Sequence, residues 1–348
     1  MRETKTINLA LQGGGAHGAF TWGVLERILE EERLVIEGIS ATSAGAMNAA
    51  ALKSGLRRNG RDGAKAALAD FWTHLSAFAP TIPPVMDWLR SFAPSPAMFS
   101  HLADANPAYL TGDLLSRFLS PYEFNPFNIN PLRTAVEKMF DAQAMGHETG
   151  PKLFVSATNV RTGKIKVFGG AAITADAILA SSCLPTLYQA VEIADPETGR
   201  LEAYWDGGYS GNPALFPLFY TTQTPDLVVV HINPVNCEDV PDTAQEILNR
   251  VNEISFNSSL LAEFRAIEFV QRLIDSGAIA RGKMKYLHVH SISDDALMNS
   301  LGVASKMSPD LGFLLQLRDA GHAATETFLR DHWQNIGEKG IDLRHAIR

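Results

Sequence analysis

Two consecutive strand–turn–helix units at the start of the chain constrain its fold more than any other feature. The mainly apolar residues 7–11 predict a buried strand, and apolar side chains at helical spacing from Phe20 onward predict a helix. A second strand over residues 34–41 and an alanine-rich helix from Ala44 follow directly. Strands that alternate with helices in this way indicate a parallel sheet that is covered by helices on both faces.

The later part of the chain extends the same pattern. Further strands are predicted over residues 152–160, 164–168, 227–232 and 285–290, the first two forming a hairpin. Apolar residues three or four apart after Asp242 predict a long helix, and Ser308 with Pro309 predicts the N-cap and first residue of a C-terminal helix. We therefore expect a three-layer α/β/α fold with a mainly parallel central sheet and a helical C-terminal part.

Composition narrows the classes of function. With 46% hydrophobic and 20% charged residues among 348, wholesale disorder is excluded. The formal net charge of −8 is opposite to that of a general nucleic-acid binder, so we expect no nucleic-acid partner. Cys183 and Cys237 have no metal-type spacing, which predicts no metal site and a reducing compartment. Neither a signal peptide nor a membrane-spanning stretch is visible, so we expect a cytoplasmic protein.

A glycine-rich turn, residues 13–18 (GGGAHG), joins the first strand to the first helix. Small residues at a helix N-terminus leave backbone N–H groups free to hold an anion. The glycine spacing fits a dinucleotide-binding turn, with Glu37 about where a ribose-binding acid is expected. The anion can equally be the oxyanion of an acyl-transfer intermediate. From this turn alone, three interpretations stay open: a dinucleotide-binding site, an oxyanion hole, and a tight turn that binds nothing.

The second turn, residues 41–45 (ATSAG), is close to the G-x-S-x-G nucleophile elbow, in which a strained strand–helix turn lifts a serine clear of the sheet. Ala41 replaces the first glycine, Gly45 keeps the second, and Ser43 is the expected nucleophile. Ser40 is a nearby competitor, but its flanks lack the same symmetry of small residues.

A serine nucleophile needs a base. His231, His288 and His290 come from strand-like segments, and each is a candidate triad member. The better-marked partner is Asp206, which ends an apolar run and is followed by Gly207 and Gly208. An ordinary aspartate, with a pKa of about 3.9, is a weak base. Partial burial would raise that pKa and help the carboxylate accept a proton.

Together, the glycine-rich turn, the Ser43 turn and the Asp-Gly-Gly segment resemble, in this order, three motifs of the patatin-like phospholipase family. Residues 180–185 (ASSCLP) resemble a further segment of that family, and the resemblance covers about residues 7–219. It implies a catalytic domain over 7–219, which strands and helices of 220–348 complete or cap. It also implies a serine–aspartate dyad that works without histidine, metal or cofactor.

The resemblance assigns a role to each motif residue. Ser43 attacks the ester carbonyl of a lipid, forming an acyl-serine intermediate, and Asp206 accepts the proton. The implied oxyanion hole consists of the N–H groups of Gly13, Gly14, Gly15 and Ala16. The positions implied to support the motifs are Gly18, Ala41, Gly45, Gly207 and Gly208. Two residues depart from the family pattern: His17 stands where it has Lys or Arg, and Ala41 stands where it has Gly.

The implied partners are a lipid or acyl ester and, transiently, a membrane or micelle surface, with residues 78–92 as the expected contact segment. The oligomeric state is left open. Two other hypotheses remain: a non-catalytic lipid-binding protein on the same fold, and a Rossmann-type oxidoreductase.

Overall fold

The structure is a computed structural model that describes residues 3–78, 95–104, 119–148, 150–237, 240–302 and 304–346. Its centre is one mixed sheet. The strands, in chain order, are β1 (Lys5–Leu11), β2 (Leu34–Ala41), β3 (Lys152–Asn159), β4 (Ile165–Gly169), β5 (Val191–Asp195), β6 (Arg200–Asp206), β7 (Asp226–Val230) and β8 (His288–Ile292). Their order across the sheet is β5-β6-β3-β2-β1-β7-β8, and β4 pairs with β3.

The middle of the sheet is parallel. Parallel pairing joins β3, β2, β1, β7 and β8, in this order. The pairs β3–β4, β3–β6 and β5–β6 are antiparallel. This confirms the predicted three-layer fold with a mainly parallel sheet. Because β7 and β8 follow residue 219, the C-terminal part of the chain supplies one side of the same sheet.

Helices flank the sheet on both faces. They are α1 (Gly18–Glu30), α2 (Ala44–Ser76), α3 (Pro96–Asp104), α4 (Pro121–Phe124), α5 (Pro131–Met139), α6 (Ala142–Gly146), α7 (Ala175–Ser181), α8 (Phe216–Thr221), α9 (Ala244–Asp275), α10 (Asp295–Asn299), α11 (Leu311–His332) and α12 (Leu343–Ala346). Helical backbone angles are interrupted inside α2 at Asn59 and Gly60.

The two faces of the sheet bury two separate apolar cores. Val228 and Val230 of β7 point into the core formed with α1, α2 and α11. Leu227 and Val229 point into the core formed with α8 and α9. Successive side chains of a strand point to opposite faces, so a strand covered on both sides is apolar throughout. This burial accounts for the mainly apolar runs that predicted β1 and β7.

The structure moves two predicted boundaries. The C-terminal helix begins at Leu311 rather than at Pro309, because Asp310, not Ser308, is its N-cap and accepts the Phe313 N–H at 2.9 Å. The last strand is β8, three residues later than predicted at its start. In the predicted lipid-contact segment, Phe78 is described and is exposed; residues 79–92 lie outside the described residues.

Candidate active site

Ser43 occupies the turn between β2 and α2 in a conformation that few residues adopt. Its φ is 53° and its ψ is −123°, a strained region for a residue with a side chain. The turn is held from outside, because the Ser43 N–H donates to Ser181 Oγ at 2.8 Å and Thr42 Oγ1 donates to Gly211 O at 2.8 Å. This is the backbone geometry expected of a nucleophile elbow.

Gly45 lets the first turn of α2 lie against the end of β1. A Cβ at Gly45 would lie 2.4 Å from Leu11 O and 2.7 Å from Gln12 O, and both are backbone atoms that cannot move aside. Ala41, at the end of β2, is fully buried and pairs with Leu11 and Val155. The small residues of the second turn are therefore required by the close approach of strand and helix.

Asp206 is the last residue of β6, and its carboxyl group lies beside the Ser43 side chain. Its Oδ1 accepts the Gly208 N–H at 2.7 Å. Its Oδ2 is buried and has no hydrogen bond of ordinary geometry within the described residues. Burial raises the pKa of Asp206 to about 7, and the Gly208 N–H and the Ser43 hydroxyl lower it in part. The Ser43 side chain is thus close enough to act on the ionisation of this carboxyl group.

The glycine-rich turn lies directly against Ser43. A Cβ at Gly13 would lie 2.5 Å from Ser43 Cβ, so any side chain there would collide with the elbow. The Gly13 N–H, one of the predicted oxyanion donors, is already used, since it donates to Asn212 Oδ1 at 2.7 Å. In the part of the chain that the structure describes, no hydrogen bond engages the N–H groups of Gly14, Gly15 or Ala16.

The remaining motif glycines pack closely against neighbours. A Cβ at each would lie under 3.0 Å from another atom: Gly14 from Ile232, Gly15 from Lys306 O, Gly18 from Ala44 Cβ, Gly207 from Ser156 O and Gly208 from the Phe256 ring. The predicted motif residues are therefore brought together at one edge of the sheet, with Lys306 and Phe256 of the C-terminal part beside them.

His17 carries no charge in this site at neutral pH. It is buried, and both burial and the nearby Lys306 hold its pKa well below the usual 6.5. Its Nε2 meets Ser305 Oγ at 2.7 Å, and Ser305 Oγ donates to Gly302 O, so Nε2 is the donor to the serine. The histidine thus ties the glycine-rich turn to the turn that precedes α11.

The three strand histidines do not approach Ser43 as a base would. His290 Nε2 meets Asp226 Oδ1 at 2.8 Å, and His288 Nδ1 lies 3.6 Å from the same oxygen. Asp226 is the first residue of β7, so this cluster lies at the opposite end of the parallel strands from Ser43. Burial lowers the pKa of His231 to about 4, and its ring packs edge-on against Phe264.

Ser40 and Glu37, which the sequence analysis also considered, form hydrogen bonds with backbone groups. The Ser40 hydroxyl is buried and donates to Ala214 O. Glu37 lies inside β2, and its carboxylate accepts the N–H groups of Gln223 and Thr224 at 2.6 and 2.8 Å. Glu37 therefore closes the loop before β7 and does not face the glycine-rich turn, which argues against the dinucleotide hypothesis.

Ser181, Asn212 and Asn233 belong to the site but were missed as individual residues in the sequence. Ser181 accepts from the Ser43 N–H, Asn212 binds the Gly13 N–H, and Asn233 Nδ2 donates to Gly13 O at 2.6 Å. Ser181 falls within the segment 180–185 noted above, and Asn212 follows the Asp-Gly-Gly turn closely. Asn233 has no local signal, because its partner lies 220 residues earlier.

Two features that would indicate other kinds of site are missing from the described residues. Among the described residues, no three His, Cys, Asp or Glu side chains are grouped so that they could hold a metal ion. Within that same part of the chain, none of the helices combines the length and the apolar character that crossing a membrane demands.

A serine on a strained strand–helix turn, beside a buried carboxyl group and a turn with free amides, is an arrangement typical of serine-dependent acyl hydrolases. The family model described as patatin-like phospholipase matches residues 9–219, more than half of the sequence. The chain therefore belongs to the patatin-like phospholipase family, and this membership supports lipid acyl hydrolase activity. No curated protein matches the sequence.

Two solved structures resemble the chain at low similarity. VipD from Legionella pneumophila is 14% identical with a TM-score of 0.40, covering 94% of this chain and 67% of that one. The complex of full-length SpcU with full-length ExoU, from the type III secretion system of Pseudomonas aeruginosa, is 14% identical with a TM-score of 0.27, covering 99% of this chain and 77% of that one. The family assignment rests on the sequence match over residues 9–219.

Proposed function

We propose that this protein hydrolyses carboxylic esters of lipids through an acyl-serine intermediate on a dyad of Ser43 and Asp206. The observation that carries the proposal is the strained Ser43 turn beside a buried carboxyl group whose pKa is raised to about 7. A base with a pKa near the working pH is suited to take the proton of a serine hydroxyl. The same carboxyl group can return that proton to the leaving alcohol.

The reaction proceeds in two steps, acylation of Ser43 and hydrolysis of the acyl-serine. Ser43 Oγ forms a bond to the ester carbonyl carbon while its proton moves to Asp206, and the collapse of the tetrahedral intermediate expels the alcohol, which takes that proton. Water then repeats the sequence on the acyl-serine and releases the fatty acid. The developing oxyanion is held by the free amides of the glycine-rich turn, with Gly14 and Gly15 as the main donors, because Gly13 N–H is bound to Asn212.

A shallow apolar cavity of about 380 Å³, open to solvent along most of its length, supports a lipid chain as the acyl group. It is lined by Phe124, Asn125, Ile129, Pro131, Leu187, Tyr188 and Met307. Met307 follows Lys306, whose carbonyl lies against Gly15. The Tyr188 carbonyl lies near the Cys183 thiol, and the Cys183 carbonyl accepts the Asp206 N–H. The cavity thus lies near residues that contact the glycine-rich turn and near residues that contact Asp206. It has no charged side chain in its lining, which suits a hydrocarbon chain.

The test is hydrolysis by purified protein of a short-chain nitrophenyl ester and of a glycerophospholipid. Ser43→Ala and Asp206→Asn should each lower turnover by about 10⁴-fold. Ser40→Ala is the matched control, because this neighbouring serine is buried and bound to Ala214 O; it should keep turnover within a few-fold.

Two outcomes contradict the proposal. Wild-type turnover by the Ser43→Ala variant would show that Ser43 is not the nucleophile. Failure of a fluorophosphonate probe to label Ser43 in the folded wild-type protein would instead favour a lipid-binding protein on the same fold.

A further inference from the structure

The peptide group between Gly13 and Gly14 is held by a side chain from outside the segment that matches the family. Asn233 Nδ2 donates to Gly13 O at 2.6 Å, and Asn233 is buried three residues after β7 ends. The matched segment ends at residue 219, so this contact comes from the C-terminal part of the chain.

Asn233 is itself fixed by a network of buried amides. Gln12 Oε1 accepts the Asn233 backbone N–H at 3.1 Å and also the Ile232 N–H at 3.0 Å. Gln12 Nε2 donates to Asn257 Oδ1 at 3.1 Å, and Asn257 Nδ2 donates to Pro234 O at 3.1 Å. Because these groups are buried and bonded to each other, the Asn233 side chain has little freedom to turn away from Gly13.

The planarity of the peptide bond converts this contact into an orientation of Gly14. In a trans peptide, the C=O of one residue and the N–H of the next point in opposite directions. β1 lies between β2 and β7 in the sheet, so Ser43, after β2, and Asn233, after β7, are on opposite sides of the glycine-rich turn. When Gly13 O points to Asn233, the Gly14 N–H points to the side of Ser43.

We propose that Asn233 is a positioning residue of the oxyanion hole, which aims the Gly14 N–H at the reacting carbonyl by holding Gly13 O on the other side. This inference rests on the proposed function, since it assigns a role within that reaction. Asn212 complements it by binding the Gly13 N–H, so both polar groups of Gly13 are kept out of the site.

Removal of the Asn233 donor should act on turnover and not on substrate binding. In Asn233→Ala and in the isosteric Asn233→Asp, we expect kcat to fall by about 10²-fold, because a misaimed donor stabilises the transition state poorly. KM for a short-chain nitrophenyl ester should stay within about twofold. The rate of Ser43 labelling by a fluorophosphonate should fall in parallel with kcat, because that reaction also places a negative oxygen in the hole.

Asn8→Ala is the matched control for stability. Asn8 is equally buried, and its Nδ2 donates to Thr222 Oγ1 and Thr224 O near the start of β7, away from the glycine-rich turn. Thermal unfolding of both Ala variants shows how much each loses in stability. Asn8→Ala should lose stability comparably and keep kcat within about twofold.

The outcomes separate this inference from the proposed function. If Ser43→Ala is inactive and both Asn233 variants fold yet keep wild-type kcat, the positioning role is wrong and the proposed function stands. If kcat falls equally in Asn8→Ala, the effect is one of general stability and the positioning role is also wrong. A wild-type protein that hydrolyses no ester would overturn both.

Discussion

Ser43 and Asp206 meet because β2 and β6 end against each other along the same edge of β3, whose other edge pairs with β4. Ala41 pairs with Val155 on β3, and Ala157, two residues further along, pairs with Asp206. Ser43 stands two residues beyond Ala41, so the register brings the hydroxyl and the carboxyl to the same height. The antiparallel direction of β6 is what makes this possible, because it ends β6 where β2 also ends, while β3 runs on beside β6 to Asn159.

The pH dependence of activity should follow the ionisation of Asp206. Its pKa is raised to about 7 by burial, so the carboxylate needed as a base is formed only as the pH rises through that value. We expect kcat/KM for a non-ionising ester to increase about tenfold per pH unit below 7 and to level off above it. Initial rates between pH 5 and 9 measure this profile, with folding checked at each pH. A profile that is flat from pH 5 to 8 would contradict the assignment of Asp206 as the base.

Asp206→Asn should stabilise the protein at high pH. The folded-state pKa of Asp206 is above its ordinary 3.8, so the native state holds the proton that the unfolded state has released. The stability contributed by the protonated form is therefore lost as the pH rises from about 4 to about 7.

Each tenfold change in the acid's dissociation constant corresponds to about 1.4 kcal/mol, so we expect the variant to gain about 1–4 kcal/mol over wild type at pH 8. At pH 4 the two proteins should differ little. Urea unfolding of both at the two pH values gives the difference. Glu263, whose pKa burial also raises to about 7, is common to both proteins and cancels from the comparison. Equal stability of the two at pH 8 would argue against a strongly raised pKa of Asp206.

Gly45→Ala should damage the elbow itself. The added methyl group would lie 2.4 Å from Leu11 O, so α2 must shift away from β1. We expect a loss of about 2–4 kcal/mol in the free energy of unfolding, together with at least tenfold lower turnover. Gly146→Ala is the matched control, because its methyl would have no neighbour nearer than 3.7 Å. Gly45→Ala with the stability and turnover of wild type would show that the close contact is not required.

Ile129→Trp should change the preference for acyl length. Ile129 lines the apolar cavity and is largely exposed, so a larger ring is accommodated without disturbing the core. By filling the cavity, the indole should lower kcat/KM for a long-chain ester by about 10-fold relative to a butyrate ester. Ile341→Trp, at an exposed position that does not line the cavity, serves as the control. An unchanged ratio of long- to short-chain rates would place the acyl chain elsewhere.

Much of the fold and of the candidate site could be predicted because the relevant signals are local. The apolar runs of β1 and β7 record burial on both faces, and the small residues at 13–18 and 41–45 record the close approach of strand and helix. These properties depend on neighbours along the chain and on general sterics, so they are visible without coordinates. The order of the three motifs then indicated the family to which the chain belongs.

The environment of each group depended on contacts between distant parts of the chain, and only the tertiary structure decided it. Burial sets the pKa values of Asp206 and His17, and burial is a property of everything packed around them. Asn212 accepts the Gly13 N–H that the family resemblance assigned to the oxyanion, and Asn233 holds Gly13 O from 220 residues away. Thus the sequence indicated the three motifs that meet at the edge of the sheet. Their protonation, and which amides stay free, were decided by long-range packing, since the local dielectric and the hydrogen-bond partners exist only once the chain has folded.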